Sequence, residues 1–310
     1  MGNQGTEGEL TRSDFMKELE VEPSSEGYYV NVQPMWSFNN WGIVPGALLM
    51  PQCVAASYRT VPRGFHTHSV QTHFLGNGTV TKRATYRVEN LNDGKTFATR
   101  QVKVEQDGKT IALTTVGFAK RASVAGRGAA VVEHAVPVVM RFDTFVGTPT
   151  LQSRDMRCQS LPKVCPSPAA ESKLARHWLR ADGPVSTEKG NMQNVLGLVA
   201  LSDIFLLDSA PRIYGLGFDL KTEKSPSERL ARDLKAMTTI NHSIHIVNVD
   251  AARVDEWVYV ECETPWASSG RIMVHSRMFS RDGILLATCA QEGLLLLRKS
   301  ASDSIARQKL

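Results

Sequence analysis

Chemistry in this chain is carried by a few residue types in a few places. Asp203 stands inside the apolar run Val199-Ala200-Leu201-Ser202-Asp203-Ile204-Phe205. A carboxylate among apolar neighbours is a candidate general base, or else a residue that faces solvent or caps a neighbour. His68, His242 and His245 have no metal-ligand spacing, and a histidine in a strand is ordinarily packed or hydrogen-bonded, so no metal is expected. Cys53, Cys158, Cys165, Cys262 and Cys289 contain no Cys-x-x-Cys pair. Their odd number argues against a closed disulfide framework, and they read as reduced and mostly structural.

These residues sit in a sequence that repeats itself. Thr67-His68-Ser69-Val70 returns as Asn241-His242-Ser243-Ile244, and Tyr86-Arg87-Val88-Glu89 as Tyr259-Val260-Glu261. Arg100 returns as Arg271, and Asp107-Gly108-Lys109-Thr110-Ile111 as Asp282-Gly283-Ile284-Leu285, with matched positions 171 to 175 residues apart. A near-constant offset of this size indicates tandem duplication of a domain, giving a pseudodimer, because solenoid repeats run at about 20–50 residues.

Each copy needs a helix and an antiparallel meander. Residues 46–60 form an apolar helical run in which Pro51 is expected to make a kink or mark the true start. Alternating runs near 66–75, 79–91, 96–106 and 109–119 are separated by Gly76-Asn77-Gly78, Asn92-Asp93-Gly94 and Asp107-Gly108, which are hairpin turn signals. The second copy restarts near His177-Trp178, with a helix over 194–207, a polar insertion over 221–235, and strands near 237–249, 256–266, 270–280 and 284–297. The expected organisation is a flexible lead at 1–26, a first repeat at 27–120, a connector at 121–174, a second repeat at 175–298 and a tail at 299–310. A helix laid on an antiparallel sheet, twice over, is α+β, with the sheets side by side so that both helices share one core. That matches a double hotdog, although periodicity alone leaves other α+β folds open.

The composition, 42% hydrophobic and 22% charged with a formal charge of +5, is that of an ordinary globular protein. Lys and Arg are scattered, which suits anionic groups such as phosphates and argues against nucleic acid. Residues 1–22 lack a signal-peptide core, and no apolar run approaches the roughly 18 residues of a membrane span, so a soluble intracellular protein is expected. The start Met1-Gly2-Asn3-Gln4-Gly5-Thr6 fits a loose myristoylation pattern. The end Gln308-Lys309-Leu310 is similar to a peroxisomal Ser-Lys-Leu signal with its first residue replaced, so the expected location is peroxisomal or cytoplasmic. A homo-oligomer would use the outer surfaces.

Four motifs of the second repeat narrow the reading: His177-Trp178-Leu179-Arg180-Ala181-Asp182-Gly183, Leu201-Ser202-Asp203, Thr238-Thr239-Ile240-Asn241-His242-Ser243, and Asp282-Gly283-Ile284 through Gln291-Glu292-Gly293. The first repeat adds His68-Ser69, Phe74-Leu75, Val88-Glu89, Asp93-Gly94 and Phe97-Ala98-Thr99-Arg100. As an ordered set over 28–120 and 175–298 the chain resembles the type II acyl-CoA thioesterases. The resemblance implies a double hotdog that hydrolyses acyl-CoA, with CoA as substrate and product and no cofactor. It implies a catalytic set of Asp203, Thr239 and Gln291, in which the carboxylate takes a proton from water while the hydroxyl and the amide fix that water. Asn241, His242, Arg271 and His68 are the expected substrate-binding neighbours. The thioester carbonyl is expected to be polarised by backbone N–H groups entering the second-repeat helix near Gly197–Ala200.

Departures from the family pattern cluster near the site. Asn241 stands where the family commonly has Asp, and Ile244-His245-Ile246-Val247 replaces an aromatic-rich strand ending in His. Pro45-Gly46-Ala47 replaces Gly-Gly-Gln, and Phe74-Leu75-Gly76-Asn77-Gly78 replaces Phe-Leu-Arg-Pro-Gly, which weakens any expected contribution of the first repeat. A drifted pocket around a retained trio suggests a specialist for branched, polyketide-like or aromatic acyl groups. The rival readings are a hotdog hydratase, dehydratase, isomerase or cyclase, the hydratases' Gly-Asp-x-Asn-Pro-x-His run being absent from this sequence, and a non-catalytic acyl-CoA-binding protein.

Overall fold

The computed structural model describes residues 15–37, 42–120, 136, 151–153, 156–160, 174–183, 185, 191–204, 206–207, 209–213 and 234–299. The first half contains α1 (Phe15–Glu18), β1 (Val21–Ser25), β2 (Tyr28–Asn31), α2 (Gly46–Tyr58), β3 (Phe65–Phe74), β4 (Thr85–Asp93), β5 (Phe97–Gln106) and β6 (Lys109–Lys120). The second contains β7 (Leu151–Ser153), β8 (Met156–Ser160), β9 (Leu174–Ala181), α3 (Met192–Asp203), α4 (Ser209–Ile213), β10 (Leu234–Ile246), β11 (Val258–Ser268), β12 (Arg271–Phe279) and β13 (Leu285–Leu297). One antiparallel sheet runs in the order β1-β2-β4-β5-β6-β3-β10-β13-β12-β11-β9-β8-β7. Read inward from its two edges, β2-β4-β5-β6-β3 mirrors β9-β11-β12-β13-β10, and the halves meet where β3 pairs β10 from Ser69↔His245 to His73↔Asn241. This is the expected double hotdog.

The sheet buries two helices that also pack on each other. Every residue of α2 from Ala47 to Ser57 and of α3 from Gln193 to Ser202 is buried, so these helices are buried on all sides and lack an exposed polar stripe. Complete burial of Leu48, Leu49, Val54, Leu198 or Val199 stabilises the fold by about 1.5–3 kcal/mol each. α2 starts at Gly46 and continues through Pro51, so the proline does not mark the start and removes one backbone hydrogen bond inside the helix.

Several expected boundaries move for local reasons. The run over 79–84 is not strand: the buried amide of Gln106 accepts from the Thr79 N–H (2.8 Å) and donates to the carbonyls of Thr79 (2.9 Å) and Lys82 (3.0 Å), which holds the segment as a loop. α3 ends at Asp203, not near residue 207, because Ile204 is extended at ψ 125°. The lead is structured from residue 15: Phe15 and Leu19 are fully buried, and β1 extends the sheet. The connector contributes β7 and β8, which pair outward from β9. Residues 221–233 of the expected insertion at 221–235, Cys165 and the tail from residue 300 lie outside the described residues, and residues 234–235 belong to β10.

The duplication holds, yet the residue matches that revealed it are out of register. β3 has a bulge between Thr67 and Ser69, and β10 has one between Thr239 and Asn241, so Thr67 corresponds to Thr239 and Val70 to His242. His68 lies on its bulge and packs edge-on against Phe97, whereas His242 faces inward with no exposure. Tyr86 faces the helices and donates its hydroxyl to Gln52 of α2, while Tyr259 packs with Trp178 and Phe279 in a separate cluster on the other face of the sheet. Arg100 is fully buried and donates to Thr60, whereas the Arg271 side chain is 56% exposed. Strand side chains alternate with period two, so one inserted or deleted residue moves every later match to the opposite face.

Candidate active site

Asp203 closes the last turn of α3, Thr239 precedes the bulge of β10, and Gln291 is an inward residue of β13 in the strand next to β10. Gln291 Nε2 donates to Asp203 Oδ1 at 2.7 Å and to Thr239 Oγ1 at 2.8 Å. A carboxylate only accepts hydrogen bonds, which fixes the orientation of the amide. Both N–H groups of one buried amide therefore hold the carboxylate and the hydroxyl side by side. The three residues expected from sequence, 88 and 52 positions apart along the chain from Gln291, meet at one point.

The first repeat supplies the opposite wall, contrary to expectation. The site opens into a cleft of about 580 Å³ lined by both halves: Pro45, Gly46, Leu49 and Phe74 from the first, and Asp203, Leu207, Met237 and Thr239 from the second. A Cβ on residue 46 would lie 2.6 Å from Phe74 Cζ and 2.8 Å from Asp203 Oδ2, so any side chain there would push against the ring and the carboxylate. Gly46 and Ala47 open α2, where the first backbone N–H groups have no partner within the helix and Pro45 gives no side-chain cap. The carboxylate thus lies at the unfavourable C-terminal end of its own helix and against the favourable N-terminal end of the other. The helix end that faces the carboxylate is that of α2, not the segment near Gly197. Gly197 lies inside α3, where a Cβ would come within 2.5 Å of Val254 Cγ2, so it permits close packing there. A glycine directly after a proline at the mouth of an apolar helix was the available sequence signal for Gly46.

The four expected substrate-binding residues are not gathered in the cleft. Asn241 Nδ2 donates to Glu292 Oε2 (2.8 Å) and Arg271 to Glu292 Oε1 (2.9 Å), a cluster on the outer face, with Arg271 also over the Trp266 ring. His68 lies across the pseudo-twofold, its pKa lowered by burial and by the neighbouring His245. His242 is close but behind the site: its Nε2 lies 3.0 Å from Ser202 Oγ, and burial lowers its pKa to about 3, so it stays neutral. Burial pushes the thiols of Cys53 and Cys289 up to about 12, which leaves neither as a thiolate nucleophile.

A second cleft of about 370 Å³ occupies the symmetry-related place, lined by His66, Thr67, His68, Ala119 and Ile246 to Asp250. Thr67 keeps the place of Thr239 and Val116 takes that of Gln291. α2 ends in Ser57-Tyr58 where α3 ends in Ser202-Asp203. The Tyr58 hydroxyl accepts the Thr67 N–H at 3.1 Å, its ring meets Phe118 edge-on, and burial raises its pKa, so it stays protonated. The second cleft has neither a carboxylate nor an amide at these positions.

A family model described as the acyl-CoA thioesterase N-terminal domain matches residues 35–119, and one described as the acyl-CoA thioesterase C-terminal domain matches residues 123–295. The chain belongs to the acyl-CoA thioesterase family. It is a thioester hydrolase acting on acyl-CoA. Acyl-coenzyme A thioesterase 8 of Homo sapiens is 27% identical over 286 residues, covering 84% of this chain and 82% of that one. The peroxisomal acyl-coenzyme A thioester hydrolase 1 of Saccharomyces cerevisiae is 30% identical over 118 residues, 37% of this chain and 33% of that one. Among solved structures, the acyl-CoA thioesterase II TesB2 from Mycobacterium marinum shares the fold with a TM-score of 0.69 and 21% identity, covering 91% of this chain and 97% of that one.

Proposed function

We propose that this thioesterase hydrolyses acyl-CoA by direct attack of a water molecule held by Asp203, Thr239 and Gln291. The observation that carries the reading is the single Gln291 amide tying the carboxylate to the hydroxyl, opposite the open N-terminus of α2. Asp203 takes a proton from water as the water oxygen bonds to the thioester carbon. Charge gathers on the carbonyl oxygen, and the N–H groups of Gly46 and Ala47 are placed to receive it, a contribution of about 3–4 kcal/mol for a pre-organised donor. As the carbonyl reforms, the carbon–sulfur bond breaks and the proton held by Asp203 passes to the departing thiolate, giving a free acid and CoA. No acyl-enzyme is needed.

The proposed acyl group is branched, polyketide-like or aromatic: Leu49, Phe74, Leu207 and Met237 make an apolar wall, and Gly76-Asn77-Gly78 lines its edge. Thiol release from straight, branched and aromatic acyl-CoAs tests both parts. Turnover by wild type that Asp203→Asn reduces at least about a hundredfold supports the mechanism, and a strong preference for palmitoyl-CoA sinks the substrate class. A peroxisomal or cytoplasmic location is proposed from Gln308-Lys309-Leu310 and the peroxisomal name of the yeast relative. A fluorescent fusion with and without those three residues checks it.

A further inference from the structure

We infer that His242 is a positioning residue for hydrolysis: its imidazole holds Ser202, and through it the end of α3, so that Asp203 stays facing Gln291 and Thr239. The inference rests on the proposed role of Asp203. Ser202 Oγ lies 2.7 Å from the Val199 carbonyl and 3.0 Å from His242 Nε2. A hydroxyl has one proton, and the carbonyl can only accept, so Ser202 donates to Val199 and must receive its second hydrogen bond. The imidazole is therefore the Nε2–H tautomer, and its Nδ1 is buried without a hydrogen-bond partner.

Position explains why this link matters. Asp203 is the last residue of α3, and Ile204 is already extended, so the carboxylate stands on the final turn, where the helix itself no longer continues to hold it. His242 is the cross-strand partner of Gln291. The hydrogen bond to Ser202 thus ties the two-strand frame that carries Gln291 and Thr239 to the helix end that carries Asp203. The other half of the molecule supplies the contrast. Ser57 keeps the equivalent bond to a carbonyl of its own helix, Cys53, at 2.8 Å, but Val70 occupies the place of His242 and offers no donor. The tie is present in the half whose helix ends in Asp203 and missing in the half whose helix ends in Tyr58.

The test compares His242→Leu, His242→Gln and Ser202→Ala with wild type for kcat, KM and thermal unfolding, using the acyl-CoA that wild type turns over best. The Gln amide nitrogen can stand where Nε2 stands, and the Leu side chain cannot donate. The expected result is a kcat lower by about tenfold to a hundredfold in His242→Leu and Ser202→Ala, the scale of a misplaced reacting group. KM should remain within about twofold of wild type, most of the kcat should return in His242→Gln, and the double variant His242→Leu/Ser202→Ala should fall no further than the worse single one. If His242→Leu does not fold, the smaller truncation Ser202→Ala decides. An unchanged kcat in Ser202→Ala, equal losses in the Leu and Gln variants, or a loss confined to KM overturns the inference. Asp203→Asn, run alongside, separates the two failures: if it leaves turnover intact, the base assignment has failed, and if it alone abolishes turnover, only the positioning role has.

Discussion

The two clefts of this molecule were built from one duplicated plan, and they differ at three inward positions. Asp203, Gln291 and His242 in one are Tyr58, Val116 and Val70 in the other, and Gly46 has been kept where it meets the carboxylate. Thr239 and Thr67 are the same residue type in the same strand position, yet Thr239 receives a hydrogen bond from an amide and Thr67 gives its backbone N–H to a phenol. A hydroxyl on a hotdog strand is therefore not a catalytic group by itself. Only at Thr239 do a carboxylate and a helix N-terminus face it, and the pseudo-twofold brings these from different halves of the chain.

The largest expected effect breaks the first cleft. Asp203→Asn keeps the shape and removes the base, so kcat should fall by about a hundredfold to ten-thousandfold in a thiol-release assay, with the unfolding temperature little changed. Next come the groups that hold the base. Gln291→Leu, and Gly46→Ala with its methyl forced against Phe74 and the carboxylate, should each lower kcat by about tenfold to a hundredfold. The matching change in the second cleft should leave chemistry alone. Tyr58→Phe keeps kcat within about twofold of wild type but leaves the Thr67 N–H without its acceptor, costing about 1–3 kcal/mol in denaturant unfolding. Loss of activity in Tyr58→Phe would show that the second cleft is not silent.

The smallest effect concerns acid stability. Unfolded His242 has its ordinary value of 6.5, and burial holds it near 3 in the fold. Between those values the unfolded chain binds a proton that the folded chain refuses, so the contribution is complete above about pH 6.5 and is lost progressively as the pH falls toward 3. His242→Leu should therefore lose less unfolding temperature than wild type between pH 7 and pH 5. An equal loss in both would mean that the imidazole is not held neutral.

Much of this was legible without coordinates. Asp107-Gly108, with φ of 50° and 71°, forms the hairpin that its turn chemistry predicts, and the apolar run after Gly46 is the buried helix. The three residues that meet at Gln291 were singled out by the family resemblance of ordered motifs in the second repeat. Ser269-Gly270, with φ of 52° and 75°, is an equally readable hairpin turn that falls at the expected break between β11 and β12. What sequence matching could not deliver was register. His68 with His242, Tyr86 with Tyr259 and Arg100 with Arg271 are similar residues on non-equivalent positions, because bulges and loops of unequal length break the count.

By itself, then, the sequence determined the element types and the duplication, since propensity and turn chemistry are local properties, and its resemblance to the family singled out the residues proposed to act on water. Tertiary structure alone decided which helix end faces the carboxylate, that Gly46 of the first repeat belongs to the site of the second, and that Asn241 and Arg271 do not. Those outcomes depend on strand parity and on the crossing of two helices from opposite halves. A shift of one residue along a strand reverses the face a side chain occupies, and no residue type records it.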